Sequence, residues 1–230
     1  MGKKTILSGI TPSGDLTIGN YIGAIANWKQ LQKDYNSFYM IADLHALTVK
    51  QDPKKFRERT LGFLAQYLAC GLDPRENTIF LQSHIPQHTE LAWVFACITP
   101  LGQLNRMTQF KEKSEKRPND INAGLYTYPV LMASDILLYQ ADLVPVGEDQ
   151  RQHLELTRDI VQFFHNRYGR VFKEPDAYIP KRGAKIMSLQ NPEQKMAKSD
   201  ENPKGTLFVT DPLKVMQKKI KSAVTDSLTS

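Results

Sequence analysis

Two hydrophobic periods alternate along this chain, and that alternation restricts its possible folds more than any other feature. Thr5-Ile6-Leu7-Ser8-Gly9-Ile10 reads as a short strand running into a turn at Pro12-Ser13-Gly14-Asp15. Beyond Gly19-Asn20 the apolar positions become Tyr21, Ala24, Ile25, Trp28 and Leu31, the spacing of one helix face. Residues 37–43 return to a strand-like run. Asp52-Pro53 then offers an N-cap with proline at the first helical position, and Gly71 suits the helix end. Between them Phe56, Leu64, Tyr67 and Leu68 recur at helical spacing. Residues 78–82 read as a third strand, 89–97 as a helix and 125–139 as a buried helix. Residues 143–147 add a strand and 149–168 a long helix. Strand and helix in turn predict a parallel sheet covered by helices on both faces.

Length and composition fit a cored α/β protein. The 230 residues suffice for one large domain, or one domain and part of a second, and 41% are hydrophobic against 23% charged. The pattern breaks near residues 178–183, at Pro180 and Gly183, before a polar, lysine-rich stretch holding Pro192 and Pro203. No run approaches the roughly 18 apolar residues that span a bilayer. The opening, with Lys3 and Lys4 and few apolar residues after them, lacks the core of an export signal, so a cytoplasmic location is expected. Cys70 and Cys97 each lie in an apolar helical stretch and are expected as buried thiols, with no paired spacing for zinc or an iron–sulfur cluster. The net charge of +6 leans toward polyanions such as nucleotides or RNA without choosing between them.

Two phosphate loops are excluded by spacing. Gly9 and Gly14 stand as in a P-loop, but Asp15-Leu16 follow where Lys-Ser/Thr is needed. No two glycines are separated by one residue, so the dinucleotide fingerprint is absent as well. Two other segments suit a nucleotide. In the first, residues 12–23, Gly19 permits close approach of the backbone, while Thr17 and Asn20 offer neutral hydrogen bonds at a helix start that favours anions. In the second, Lys195-Met196-Ala197-Lys198-Ser199, two lysines three apart can follow charge as it moves onto pyrophosphate.

Together these segments resemble the paired signature motifs of class I aminoacyl-tRNA synthetases, His-Ile-Gly-His and Lys-Met-Ser-Lys-Ser. Thr17-Ile18-Gly19-Asn20 matches the form used by tryptophanyl-tRNA synthetases, and Ala197 replaces the usual serine of the second motif. The resemblance continues through Met107-Thr108-Gln109-Phe110-Lys111-Glu112-Lys113, Gly147-Glu148-Asp149-Gln150 and residues 218–227. It implies a Rossmann-like catalytic domain over residues 1–180. It also implies, over 181–230, the lysine-rich loop and the beginning of a truncated helical anticodon-binding domain. The implied reaction is activation of L-tryptophan by ATP with Mg2+, held mainly by the phosphates, followed by transfer to tRNA(Trp) in a homodimer.

The resemblance also implies site roles. Thr17, Asn20, Lys113, Lys195 and Lys198 would carry the catalysis. Thr11, Pro12, Ser13, Gly19, Gly147, Glu148, Asp149, Ile186, Met196, Ala197 and Ser199 would join Asn20, Lys195 and Lys198 around ATP. Leu7, His45, Tyr128, Met132, Asp135, Val144, Val146 and Gln150 would surround tryptophan, with Leu7 where an aromatic residue often stands. The residues themselves support one of these assignments. Asp135 lies in an apolar helix with Met132 three and Tyr128 seven positions earlier, so the three share a face. A carboxylate buried there needs a donor, and an indole is a flat apolar ring with a single N–H. His84, His88, His153 and His165 receive no role; Pro86 separates His84 from His88 and no third ligand is apparent, so no metal site is expected. Three alternatives stand beside this reading: the tyrosine-specific sister enzyme, a nucleotide- or RNA-binding fragment without turnover, and a nucleotidylyltransferase of the same superfamily.

Overall fold

The computed structural model describes residues 2–116, 118–147, 150–179, 186–198, 200 and 202–224. Among these residues five parallel strands make one sheet: β1 (Thr5–Ile10), β2 (Asn36–Ile41), β3 (Thr78–Leu81), β4 (Leu143–Pro145) and β5 (Asp176–Tyr178), in the order β3-β2-β1-β4-β5. The chain winds outward from β1 in one direction and then the other. This places a topological switch point between the carboxyl ends of β1 and β4. The fold is the expected Rossmann-like α/β architecture. It adds one strand that the sequence pattern does not reveal, β5, which lacks an apolar run and pairs with β4.

Helices cover both faces. On one, α2 (Ala26–Leu31) and α4 (Pro53–Ala69) close over β2, and Trp28, Tyr39, Phe63 and Tyr67 form a buried aromatic cluster. Trp28 stacks on Tyr39 with ring centroids 4.8 Å apart. On the other, α5 (Gln87–Ala96), α8 (Ala123–Leu138) and α9 (Arg151–Tyr168) bury Phe95, Val130, Ile136, Leu154 and Ile160 against β1 and β4. Asp52 caps α4 as expected, accepting from the amides of Lys54 and Lys55, and Gly71 turns the chain with φ +94°. The expected buried thiols are a correction: Cys70 is half-buried and Cys97 exposed, because each is a C-cap residue where its helix leaves the core.

The first helical segment is interrupted. After α1 (Ile18–Asn20) the turn widens into a π-helix, Tyr21–Ile25, before α2. Asn27 Nδ2 donates to the carbonyls of Ile22 and Gly23 at 3.3 and 3.1 Å, satisfying oxygens at the widened turn. Four shorter or strongly charged helices also escape the periodicity: α3 (Asp43–Ala46), α6 (Leu101–Asn105), α7 (Thr108–Lys116) and α10 (Leu213–Lys221). The lysine-rich stretch packs back onto the start of the chain. Leu207 O accepts from Ile18 N and Leu16 O from Val209 N, at 2.9 and 2.8 Å. The break expected at residues 178–183 falls mostly on residues 180–185, which lie outside the described residues. Among the described residues no helix is long and apolar enough to cross a membrane.

Candidate active site

A cavity of about 950 Å³ opens where the switch point predicts it. The end of β1 supplies Leu7, Ser8, Gly9 and Ile10, and the end of β4 supplies Val144, Pro145, Val146 and Gly147. Gly9 is there for β2: a Cβ on it would stand 2.9 Å from the Met40 backbone oxygen. Thr11, Ser13, Asn20 and Lys198 form one end of the cavity, and His45, Tyr128, Met132, Asp135 and Gln150 another, with Lys113 also in its wall.

At the first end the segment around Gly14 and the segment carrying Lys198 meet. Lys198 Nζ donates to the carbonyls of Thr11 and Gly14 at 3.2 and 3.4 Å and lies 4.7 Å from the centre of the Phe63 ring. Burial is the main influence on this amine; Asp15 opposes it and Arg59 reinforces it, and the pKa falls to about 8. The loop that carries it is fixed by an antiparallel bridge between Met187 and Lys195, with Met196 buried and Met196 N donating to Ile186 O at 2.9 Å. Ile186 lies beside Gly19, and the Ala197 carbonyl accepts from Thr206 Oγ1.

Several expected contributors are placed differently. The Thr17 hydroxyl does not face the cavity: it is buried, accepts from Asn20 N and donates to Asn20 Oδ1, while Thr17 N donates to the same oxygen. The reciprocal cap uses Thr17 and the Asn20 carbonyl, so Asn20 is left to present its NH2. Lys195 is exposed and, like Pro12, Gly19, Ile186, Met196 and Ala197, is absent from the cavity wall. Glu148, Asp149 and Ser199 lie outside the described residues, as do residues 225–227 of the matching run.

At the other end Asp135 is 2% exposed and does not depend on a ligand for its donors, a correction to the sequence reading. Its Oδ1 accepts from Gln82 Nε2 and lies 2.7 Å from His88 Nδ1, and its Oδ2 lies 2.7 Å from His45 Nε2. Burial pushes this carboxyl up, but the charge and hydrogen bonds of His45 and His88 outweigh it and hold the group below its ordinary value. An ionised carboxylate accepts about four hydrogen bonds, so three protein donors leave capacity for one more. Gln82 and His88 are residues the sequence reading missed. Both are fully buried and neither lines the cavity; only their places just after β3 and at the start of α5 hint at a role.

Tyr128 faces His45 and donates to Gln109 Oε1 at 2.9 Å, with Lys113 Nζ 4.3 Å from its ring centre. Its hydroxyl also lies 2.9 Å from His153 Nε2, and His153 Nδ1 lies 2.9 Å from Gln150 Oε1. His153, another residue given no role, thus ties Tyr128 to Gln150 from beneath. The site offers an apolar slot ending in a carboxylate, an amide and phenol beside it, and a lysine and an asparagine at the opposite end. That arrangement suits a flat zwitterion next to a polyphosphate.

Comparison with known proteins gives the family. Residues 2–229 match the model of the class I tRNA synthetases for tryptophan and tyrosine (W and Y), and the chain belongs to that family. It is 61% identical to a tryptophan–tRNA ligase of Clostridium tetani over 98% of this chain and 67% of that protein. The crystal structure of tryptophanyl-tRNA synthetase from Mycoplasma pneumoniae superposes with a TM-score of 0.92 at 41% identity, covering 99% of this chain and 67% of that one. The Campylobacter jejuni synthetase, solved with ADP and tryptophan, gives 0.87 at 39% identity over 98% of this chain and 69% of that one.

Proposed function

We propose that this chain acts as a tryptophan–tRNA ligase: it condenses L-tryptophan with Mg-ATP to tryptophanyl-adenylate and pyrophosphate, then transfers the tryptophanyl group to tRNA(Trp). The observation that carries the reading is one cavity holding a buried, hydrogen-bonded Asp135 at one end and Lys198 across the Thr11–Gly14 turn at the other. A tryptophan carboxylate oxygen attacks the α-phosphorus, a P–O bond forms, and the bond to the β-phosphate oxygen breaks with its electron pair leaving on pyrophosphate. The nucleophile is ionised at neutral pH, so no general base is required, and catalysis comes from alignment and charge stabilisation.

In this reading Asp135 accepts the ring N–H while Leu7, Met132, Val144 and Val146 hold the ring. His45, Tyr128 and Gln150 orient the amino acid. Thr11, Ser13, Gly19, Asn20 and Gly147 receive the nucleotide, Thr17 shapes the cap that presents Asn20, and Lys113 and Lys198 balance the phosphate charge. Lys195, on the same loop as Lys198, is assigned to the pyrophosphate charge as well, and the magnesium ion arrives with the phosphates. The net charge of +6 favours tRNA. A homodimer, which the family resemblance implies, gives the exposed Trp93, Val94 and Leu101 a surface to meet. A cytoplasmic setting accords with these substrates.

The test is ATP–pyrophosphate exchange with tryptophan, tyrosine and phenylalanine supplied separately. Exchange with tryptophan alone is expected. Exchange with tyrosine would overturn the assignment of the slot, and a folded chain that binds ATP without exchange would overturn the catalytic reading. Lys198→Ala should depress the rate of exchange far more than tryptophan affinity; equal losses would remove Lys198 from the phosphate step.

A further inference from the structure

The carboxylate at the end of the slot is held from behind by a rigid group that has no access to the cavity. His88 is fully buried, and its ring is stacked on Phe80 with centroids 5.9 Å apart and 22° between planes. Its carbonyl accepts from Ser134 Oγ at 2.6 Å, one residue before Asp135. Its Nε2 lies 2.9 Å from the Tyr139 hydroxyl and its Nδ1 2.7 Å from Asp135 Oδ1. Burial, and then the Asp135 charge, push the Tyr139 phenol up to about 12, so the hydroxyl keeps its proton and can donate to Nε2. The ionised Asp135 Oδ1 can only accept, so Nδ1 carries a proton and faces the carboxylate. Backbone, ring face and both nitrogens of His88 are therefore all constrained.

We infer that His88 is a positioning residue for amino-acid specificity: with Gln82 it engages Asp135 Oδ1, turning Oδ2 toward the slot to meet a single ring N–H. The inference rests on the reading of the cavity as a tryptophan site. The physical reason is a count of acceptors. Gln82 and His88 together occupy one oxygen, and His45 occupies part of the other. A carboxylate free to rotate would present either oxygen and meet donors from several directions. One pinned at Oδ1 has a defined line of approach, and a site that must fill a fixed acceptor rejects isosteres lacking the donor.

The test compares tryptophan with its 3-benzothienyl isostere, in which sulfur replaces the ring N–H, by kcat/KM in ATP–pyrophosphate exchange. His88→Leu is expected to lower kcat/KM for tryptophan by roughly 10- to 100-fold, the range for disturbing one buried bond to a charged group. The isostere, which makes no such bond, should change by less than about threefold, so the ratio between the two substrates collapses. His88→Asn, whose side-chain NH2 falls near the place of Nδ1, should recover most of the ratio. Tyr139→Phe removes only the hydroxyl that orients the ring. It should lower the ratio in the same direction by a smaller factor, and it supplies the reading if His88→Leu does not fold. Equal losses for both substrates, with the ratio unchanged in His88→Leu and Tyr139→Phe, would overturn the inference and leave His88 a structural tie between helices. Absence of tryptophan-dependent exchange in the unsubstituted chain would overturn the tryptophan reading itself, and the inference with it.

Discussion

Raising the pH above about 8 should weaken the productive encounter of this protein with ATP, because Lys198 then loses its charge. Burial dominates the environment of this amine, and its pKa falls from 10.5 to about 8. Each pKa unit represents about 1.4 kcal/mol, so the folded chain carries the charge at a cost of about 3 kcal/mol. Between about 8 and 10.5 the unfolded chain binds more protons than the folded one. The stability contributed by this group therefore rises with pH through that window, and below it, where both states are charged, the whole cost is present. Activity should run the other way. If the charged amine meets the triphosphate, kcat/KM for ATP falls about tenfold per pH unit above the pKa of the free protein. The assay is tryptophan-dependent exchange from about pH 6.5 to 10, with Lys198→Arg alongside, since a guanidinium stays charged throughout. A downward bend near pH 8 in the unsubstituted protein, absent from the arginine variant, is expected. A bend at the same pH in both, or a flat profile to about pH 9.5, would refute the argument. As a second readout, Lys198→Met should raise the melting temperature near pH 7 and lose that advantage by about pH 10.

Other substitutions separate ligand contacts from packing. Asp135→Asn sets an NH2 among the donors of Gln82, His88 and His45. It should lower kcat/KM for tryptophan by about 10²–10³-fold; a loss below about tenfold would show that the carboxylate does not read the ring. A Cβ at Gly19 meets only Thr17 Oγ1 at 3.4 Å and Ile186 Cβ at 3.6 Å. Gly19→Ala should therefore leave stability unchanged or raise it by up to about 1 kcal/mol, yet raise KM for ATP; an unchanged KM would remove Gly19 from the nucleotide site. Gly9→Ala is the opposite case, because its Cβ would meet Met40 O at 2.9 Å and Met40 Cβ at 3.2 Å. It should cost about 1–3 kcal/mol in urea unfolding, and a cost below about 0.5 kcal/mol would show that β1 and β2 part easily.

Much of this protein is legible in its sequence. Strand and helix periods at residues 5–10, 53–69 and 151–168 follow from local side-chain spacing, and local spacing is what a sequence displays directly. The same holds for the Asp52 cap, and for the two segments around Gly19 and Lys198, whose residue types in that order carry the family resemblance. The strand β5 was not legible, because Asp176-Ala177-Tyr178 offers no apolar run like the Leu143-Val144-Pro145-Val146 that marks β4. Nor was the exposure of Cys97, since an apolar neighbourhood in sequence says little about which way a helix end faces.

Within the site, the sequence determined which groups are available: a carboxylate in an apolar helix, lysines in a loop, a phenol and an amide. Only the tertiary structure decided what each one does with its bonds. The Thr17 hydroxyl is used by its own cap, Lys195 faces outward, and Lys198 crosses from residue 198 to the carbonyls of Thr11 and Gly14. Asp135 receives its donors from Gln82, His88 and His45, which come from three separate segments and share no spacing with it. Hydrogen bonds and desolvation act over a few ångströms in space, and residues 47 to 187 positions apart reach that range only once the strands have paired and the helices have closed over them.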